Sequence, residues 1–172
     1  MNDRVYKAFG ITKKQRWLIE DMINVRLKLN DGKIAREAID AANKKEIADF
    51  ARIFQDELDL FLDNSGKRKV HKVKVLYSNS SVMMVVDHLM RSSTTKPEIT
   101  EVKEGEIRQK LEDVGERLRE ERSQWIYFTR CLRMYEGRRT YIFKPRQRLY
   151  WLKSQALAEA DEFIAEKLAT ES

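Results

Sequence analysis

One cysteine (Cys131), two prolines (Pro97 and Pro145), two histidines (His71 and His88) and six glycines are all that 172 residues contain of these types. A single thiol excludes an intramolecular disulfide and any paired-cysteine zinc site. Two histidines leave little for a histidine-rich metal centre. The few glycines form neither GxxxxGK[ST] nor GxGxxG, so the glycine-rich loops that cradle phosphates are missing. Long apolar runs are missing too. The longest, Val82 to Val86, falls far short of the ~20 residues that span a bilayer. The first ten residues carry no apolar stretch of the secretory type, and the expectation is a reduced, cytoplasmic protein away from the membrane.

Charge is plentiful: 36% of the chain, with 34 Lys and Arg against 28 Asp and Glu, a formal +6. A hydrophobic content of 42% still supports a packed core, and the length suits one domain over residues 1–172. Within it, residues 1–64 read as helical, 65–172 as mixed, and 91–105 as a flexible loop or linker. Thr12 is placed to cap a helix carrying Trp17, Leu18, Met22, Val25 and Leu29, which Asn30-Asp31-Gly32 would stop. A second helix is expected from about Lys33 to Ala42. The third has the clearest stripe: Ile47, Phe50, Ala51, Phe54, Leu58, Phe61 and Leu62, ending at Asn64-Ser65-Gly66.

The apolar period then changes to two. Lys72-Val73-Lys74-Val75 alternates, and the run Val82 to Val86 follows a serine-rich turn, which predicts a hairpin. Ile107, Leu111, Val114 and Leu118 form a narrow helical seam suited to a sheet or to another helix. A second hairpin is expected from Trp125 to Tyr135 and Thr140 to Lys144 about Glu136-Gly137, with an amphipathic helix from Trp151 to Ala169. The fold expected is α+β: a mainly helical N-terminal part, then an antiparallel sheet of about four strands packed with helices.

The positive charge is concentrated. Between Arg130 and Lys153 eight cations face Glu136 alone, a net +7, so the other 148 residues sum to −1. Tyr135, Tyr141, Phe143, Tyr150 and Trp151 interleave with them. Arginine forks suit phosphate oxygens, and aromatic rings can stack on unpaired bases. The candidate phosphate contacts are therefore Arg130, Arg133, Arg138, Arg139, Lys144, Arg146 and Arg148, with Tyr141 and Trp151 stacking or buttressing them. Lys67, Arg68 and Lys69, with Lys72 and Lys74, open a second basic stretch that has no acid from Ser65 to Val86. His71, among these lysines, suits phosphate better than metal. Catalytic sets are thin: Asp87 and His88 adjoin on a strand and so point to opposite faces, and Cys131 reads as a small strand hydrophobe. No metal or cofactor is expected.

The stretch Tyr141-Ile142-Phe143-Lys144-Pro145-Arg146-Gln147-Arg148-Leu149-Tyr150-Trp151-Leu152-Lys153-Ser154-Gln155-Ala156-Leu157-Ala158-Glu159-Ala160-Asp161 resembles a segment near the ends of some restriction-modification and phage-defence proteins of the N6-adenine DNA methyltransferase type. That segment is a strand, a Lys-Pro turn, an aromatic pair and an Ala/Asp-rich helix. The matching positions are Lys144, Pro145, Tyr150, Trp151, Ser154 and Asp161. The Asn/Asp-Pro-Pro-Tyr/Phe loop and the glycine-rich S-adenosylmethionine loop of such enzymes are absent. The resemblance therefore implies an accessory or DNA-contacting part.

The leading expectation is a non-catalytic nucleic-acid-binding accessory protein, with DNA ahead of RNA, working in a larger restriction-modification or defence assembly. The alternative is an adaptor whose basic face docks on an acidic protein, its helical seam from Ile107 to Leu118 staying exposed until the partner covers it.

Overall fold

The computed structural model describes residues 3–27, 39–64, 70–89, 96–120, 126–128 and 131–170. Helix α1 (Asp3–Ala8) leads to α2 (Lys13–Asp21), which a π turn (Met22–Arg26) extends. Next come α3 (Lys44–Asn64), the hairpin β1 (Val70–Tyr77) and β2 (Ser81–Leu89), β3 (Glu98–Glu101) and α4 (Glu104–Glu120). The chain ends with β4 (Ile126–Phe128), β5 (Cys131–Glu136), β6 (Arg139–Pro145) and α5 (Lys153–Thr170). The described strands form one sheet in the order β3-β1-β2-β6-β5-β4.

The α+β class is as expected, but the sheet has six strands among the described residues, and it is mixed. Five run antiparallel, whereas β3 lies parallel to β1, with Lys74 opposite Glu98 and Tyr77 opposite Glu101. β3 and the first two residues of α4 occupy part of the stretch read as a loop at 91–105, of which 91–95 lie outside the described residues. Glu98-Ile99-Thr100-Glu101 offers one apolar residue, too little to mark a strand; its ladder comes from the exposed edge of β1. The single strand expected from Trp125 to Tyr135 is two, β4 and β5. The expected second helix lies mostly outside the described residues, and Ala41 near its end forms a bridge to Gln147.

Period-two patterning sorts the strands onto two faces. One presents Val73, Val75, Tyr77, Val82, Met84, Val86 and Ile142 to α3 and α5, where Phe50, Phe54, Leu58, Trp151, Ala156, Ala160 and Phe163 complete the main core. α3 begins at a reciprocal cap: Asn43 Oδ1 accepts from Glu46 N at 3.0 Å, and Glu46 Oε2 accepts from Asn43 N at 2.9 Å. Its buried stripe shifts slightly from the expected one, gaining Ile53 and leaving Phe61 exposed.

The other face packs Met83, Met134, Tyr141 and Phe143 against Ile107 and Val114 of α4. α4 is thus the sheet's cover. Ile107 and Val114 of the expected seam are buried against the protein's own strands and Leu111 packs beside them, while the side chain of Leu118 lies outside the described residues.

The N-terminal helices form an outer layer on α3 and α5. Lys14 Nζ meets Glu57 Oε2 at 2.6 Å, and Asp21 Oδ2 accepts from Ser154 N at 2.7 Å at the start of α5. Thr12 caps α2 as expected, in a capping box with Gln15. The face expected to be apolar divides, however. Val25 is buried beside Leu152, while Leu18 and Met22 stay exposed.

The β1–β2 turn is fastened to α4 by Glu104. Its carboxylate accepts from Ser80 Oγ at 2.7 Å, Ser81 Oγ at 2.8 Å and Ser80 N at 3.2 Å. Hydrogen bonds from Ser78, Ser80 and Ser81 hold its pKa down at about 2, from an ordinary 4.5. A carboxyl whose pKa is lower in the folded chain adds stability above its unfolded pKa and loses it as pH falls through the folded value. The wild-type urea midpoint should therefore exceed that of Glu104→Gln at neutral pH. The gap should close between about 4.5 and about 2; equal midpoints throughout would contradict the role of this carboxylate.

Candidate nucleic-acid interface

Two cations of the +7 segment, Arg133 and Lys144, turn inward. In a strand, alternate side chains face opposite ways, and the sheet face toward α5 receives Arg133 and Lys144. Arg133 is buried, its Nη1 2.7 Å from Glu166 Oε1 and its Nη2 3.0 Å from Glu162 Oε2. Burial opposes its charge, but Glu166 more than compensates, so its pKa sits above the ordinary arginine value. Tyr135 also donates to Glu166; burial first, and then that hydrogen bond, push the phenol's pKa up.

Lys144 is enclosed more completely. Its Nζ donates to both oxygens of Glu159, at 2.7 and 3.0 Å, and to Tyr150 O at 2.9 Å. The same ammonium lies 3.9 Å from the ring centroid of Phe50 and 4.2 Å from that of Trp151. Burial drives its pKa down, and Glu159 counteracts. Trp151, expected to stack on bases or to buttress the cations, is buried, closed to bases, and donates Nε1–H to Pro145 O at 2.9 Å. Four of the six positions carrying the resemblance, Lys144, Pro145, Tyr150 and Trp151, are thus joined where β6 leads into α5.

Arg146 and Arg148 are likewise occupied. Arg146 donates to Ala42 O and Ser78 O, each at 2.8 Å, and its guanidinium stacks over Tyr77 at 4.9 Å. Arg148 Nε lies 2.6 Å from Glu46 Oε1. Tyr141 is buried, with its hydroxyl 2.7 Å from Glu136 Oε2. His71 is a further correction: it is buried, with Nδ1 2.9 Å from Asp59 Oδ1, not open to phosphate. His88 stacks on Phe163, on the opposite side of β2 from Asp87. Burial raises the pKa of the Cys131 thiol, the reverse of what a nucleophile needs. Lys67, Arg68, Lys69 and Arg130 lie outside the described residues.

The other sheet face carries a row that linear reading does not reveal. Lys72 stands opposite Asp87, Asp87 opposite Arg139, and Arg139 opposite Glu136. Arg117 of α4 extends the row, with Nε 2.8 Å from Glu136 Oε1. Charges alternate across four strands and a helix. Hydrogen bonds from Arg117 and Tyr141 lower the pKa of Glu136, and the bond to Asp87 raises that of Arg139. Beside the row, Glu98 of β3 binds Lys72 at 2.9 Å and Lys74 at 3.5 Å. The signal for the row was the pairing register, which no single strand contains.

At the end of this row the β5–β6 turn projects. Gly137 takes φ +55°, in the left-handed region that favours glycine in a tight hairpin. Arg138 follows, exposed and with no carboxylate in ion-pair contact among the described residues. The side chains of Arg139 and Arg117 are 49% and 52% exposed beside it. Five cations (Lys72, Lys74, Arg117, Arg138 and Arg139) thus stand with three acids (Asp87, Glu98 and Glu136). Val70 starts β1 at the same end of the sheet, opposite Leu89, directly after Lys67-Arg68-Lys69 in the sequence.

Among the described residues no three His, Cys, Asp or Glu gather as a metal site, and no helix is long and apolar enough to cross a membrane. No family model, curated protein or solved structure matches the chain.

The buried pair yields a double-mutant test. Lys144→Met or Glu159→Leu alone leaves one charge enclosed without its partner and should cost ~3–5 kcal/mol. The combined variant should be more stable than either single one in urea denaturation. Additive losses would show that the two groups act independently.

Proposed function

We propose that the protein is a non-catalytic nucleic-acid-binding accessory protein, gripping phosphate at the Arg138 end of its sheet rather than along the hairpin-to-helix segment. The observation that carries this reading is the convergence of Arg138, Arg139 and Lys72 at one exposed sheet end, where β1 starts at Val70, the residue that follows the Lys67–Lys69 run in the sequence. Asp87, Glu98 and Glu136 hold neighbouring cations in place and offset part of their charge. Binding through so few phosphate contacts is modest and strongly salt-dependent. No buried cation needs to leave the core.

The ligand class is nucleic acid, DNA ahead of RNA. Aromatic stacking drops out of the contact, because Tyr141 and Trp151 are buried; affinity then rests on the backbone, with little dependence on base sequence. The assembly in which it works is of the restriction-modification or phage-defence kind that the β6–α5 segment resembles. Lys144, Pro145 and Trp151 serve there as the strand-to-helix fastening, while the accessory role falls to the sheet end.

Fluorescence anisotropy with labelled duplex DNA, single-stranded DNA and RNA, at rising salt, tests the proposal. Arg138→Glu should weaken binding about tenfold and lower the salt slope by about 1. The same reversal at Lys45, at the start of α3, should have little effect. Binding by Arg138→Glu equal to wild type would overturn the proposal.

A further inference from the structure

α1, α2 and the π turn carry more exposed apolar surface than their packing uses. Phe9 is 78% exposed, Leu27 59%, Leu18 50%, Val5 47%, Met22 45% and Ile23 37%. Leu18 and Met22 are four residues apart on α2 and its cap, the interval at which helical side chains are neighbours. The inner side of the same segment is anchored by buried Tyr6 and Val25 and by the half-buried Trp17. The exposed residues are therefore not the face of a helix that failed to dock.

The π turn separates the two sets. Leu27 N donates to Met22 O, five residues back. An i→i+5 turn takes in one residue more than an α turn and shifts the phase of the side chains that follow it. Val25 thereby reaches Leu152 in the core while Met22, Ile23 and Leu27 stay outward. Such turns recur at functional positions in helices.

Electrostatics identifies the occupant. Residues 3–27 hold six cations against three acids, and the acids are engaged. Asp3 and Glu20 both bind Arg16, and Asp21 caps α5. Lys7, Lys13 and Arg26 have no carboxylate within ion-pair distance among the described residues; Lys13 lies over Trp17, and Arg26 reaches Gln155. A second copy of this chain docking through the same surface would bring like charges together around the apolar side chains. An acidic partner would be attracted to it.

We infer that this outer surface is a docking site for an acidic amphipathic helix of another protein. The helix would set apolar side chains against Phe9, Leu18 and Met22 and carboxylates toward Lys7, Lys13 and Arg26. Recognition would be that of an amphipathic helix laid on an apolar surface. The surface lies on the outer side of the α3–α5 layer, and the sheet end described above belongs to the opposite face of the sheet, so both can be occupied at once. The accessory protein would then bridge nucleic acid to an acidic subunit.

The test uses the full chain and two labelled helical peptides with leucines four residues apart, one with glutamate and one with lysine at its polar positions. Anisotropy should show binding of the acidic peptide only. The Phe9→Glu/Leu18→Glu variant should weaken that binding at least tenfold while keeping the wild-type urea midpoint and nucleic-acid affinity. Lys7→Glu/Lys13→Glu should weaken it as well, and Arg138→Glu should leave it unchanged. Equal binding of both peptides, or an acidic peptide indifferent to both double variants, overturns the inference. So does a concentration-dependent doubling of mass abolished by Phe9→Glu/Leu18→Glu, which makes a second copy the occupant. Co-sedimentation with phosphatidylserine vesicles without peptide binding overturns it in favour of a lipid surface.

Discussion

The fold depends on one enclosed charge. Lys144 leaves β6 into a space bounded by Phe50 of α3, Trp151 before α5 and Glu159 within α5. An ammonium in such a place is tolerated only with a carboxylate and hydrogen bonds that restore what water supplied. Glu159 and the Tyr150 carbonyl provide them, and each belongs to a different part of the strand-to-helix connection. Satisfying this one cation fixes where α5 starts, how it lies on the sheet, and which residues of α3 it meets. Arg133, on the neighbouring strand β5 and facing the same layer, repeats the arrangement with Glu162 and Glu166.

This explains why a cluster of positive charge in the sequence is not a patch of positive charge on the surface. Strand alternation sends Arg133 and Lys144 to one side of the sheet and Arg139 to the other. The acids that neutralise the inward pair lie 15 to 33 residues away, on α5. Glu159, Glu162 and Glu166 are spaced along α5 by helical turns, and all three pair with the inward cations. What remains outside is a row of alternating signs ending in the one turn arginine, a smaller and more directional feature than +7 suggests.

The legible parts were those written locally. The Thr12 cap, the stripe of α3, both hairpins and the seam of α4 can be read from neighbours within a few residues, and they occur close to where they were expected. β3 was not legible, because Glu98-Ile99-Thr100-Glu101 becomes a strand only through the ladder that β1 offers. Nor was the division of the α2 face. Whether Leu18 or Val25 turns inward depends on the π turn and on Leu152, more than a hundred residues later. Of the candidate site, Arg138 and Arg139 were found by composition and the turn signal; their separation from Arg133, Lys144, Arg146 and Arg148 required partners distant in the chain.

The parallel edge strand has a consequence for how molecules of this protein behave toward one another. A sheet with a bare edge is a template on which a neighbour's strand can build. β3 covers the edge of β1 with only four residues, and it places Glu98 and Glu101 at either end of that short ladder. A strand arriving there would find few backbone groups to pair with and a carboxylate at each end. At the far side β4 offers three residues. Among the described residues the sheet therefore ends in a short strand on each side, a feature that disfavours edge-to-edge pairing between molecules.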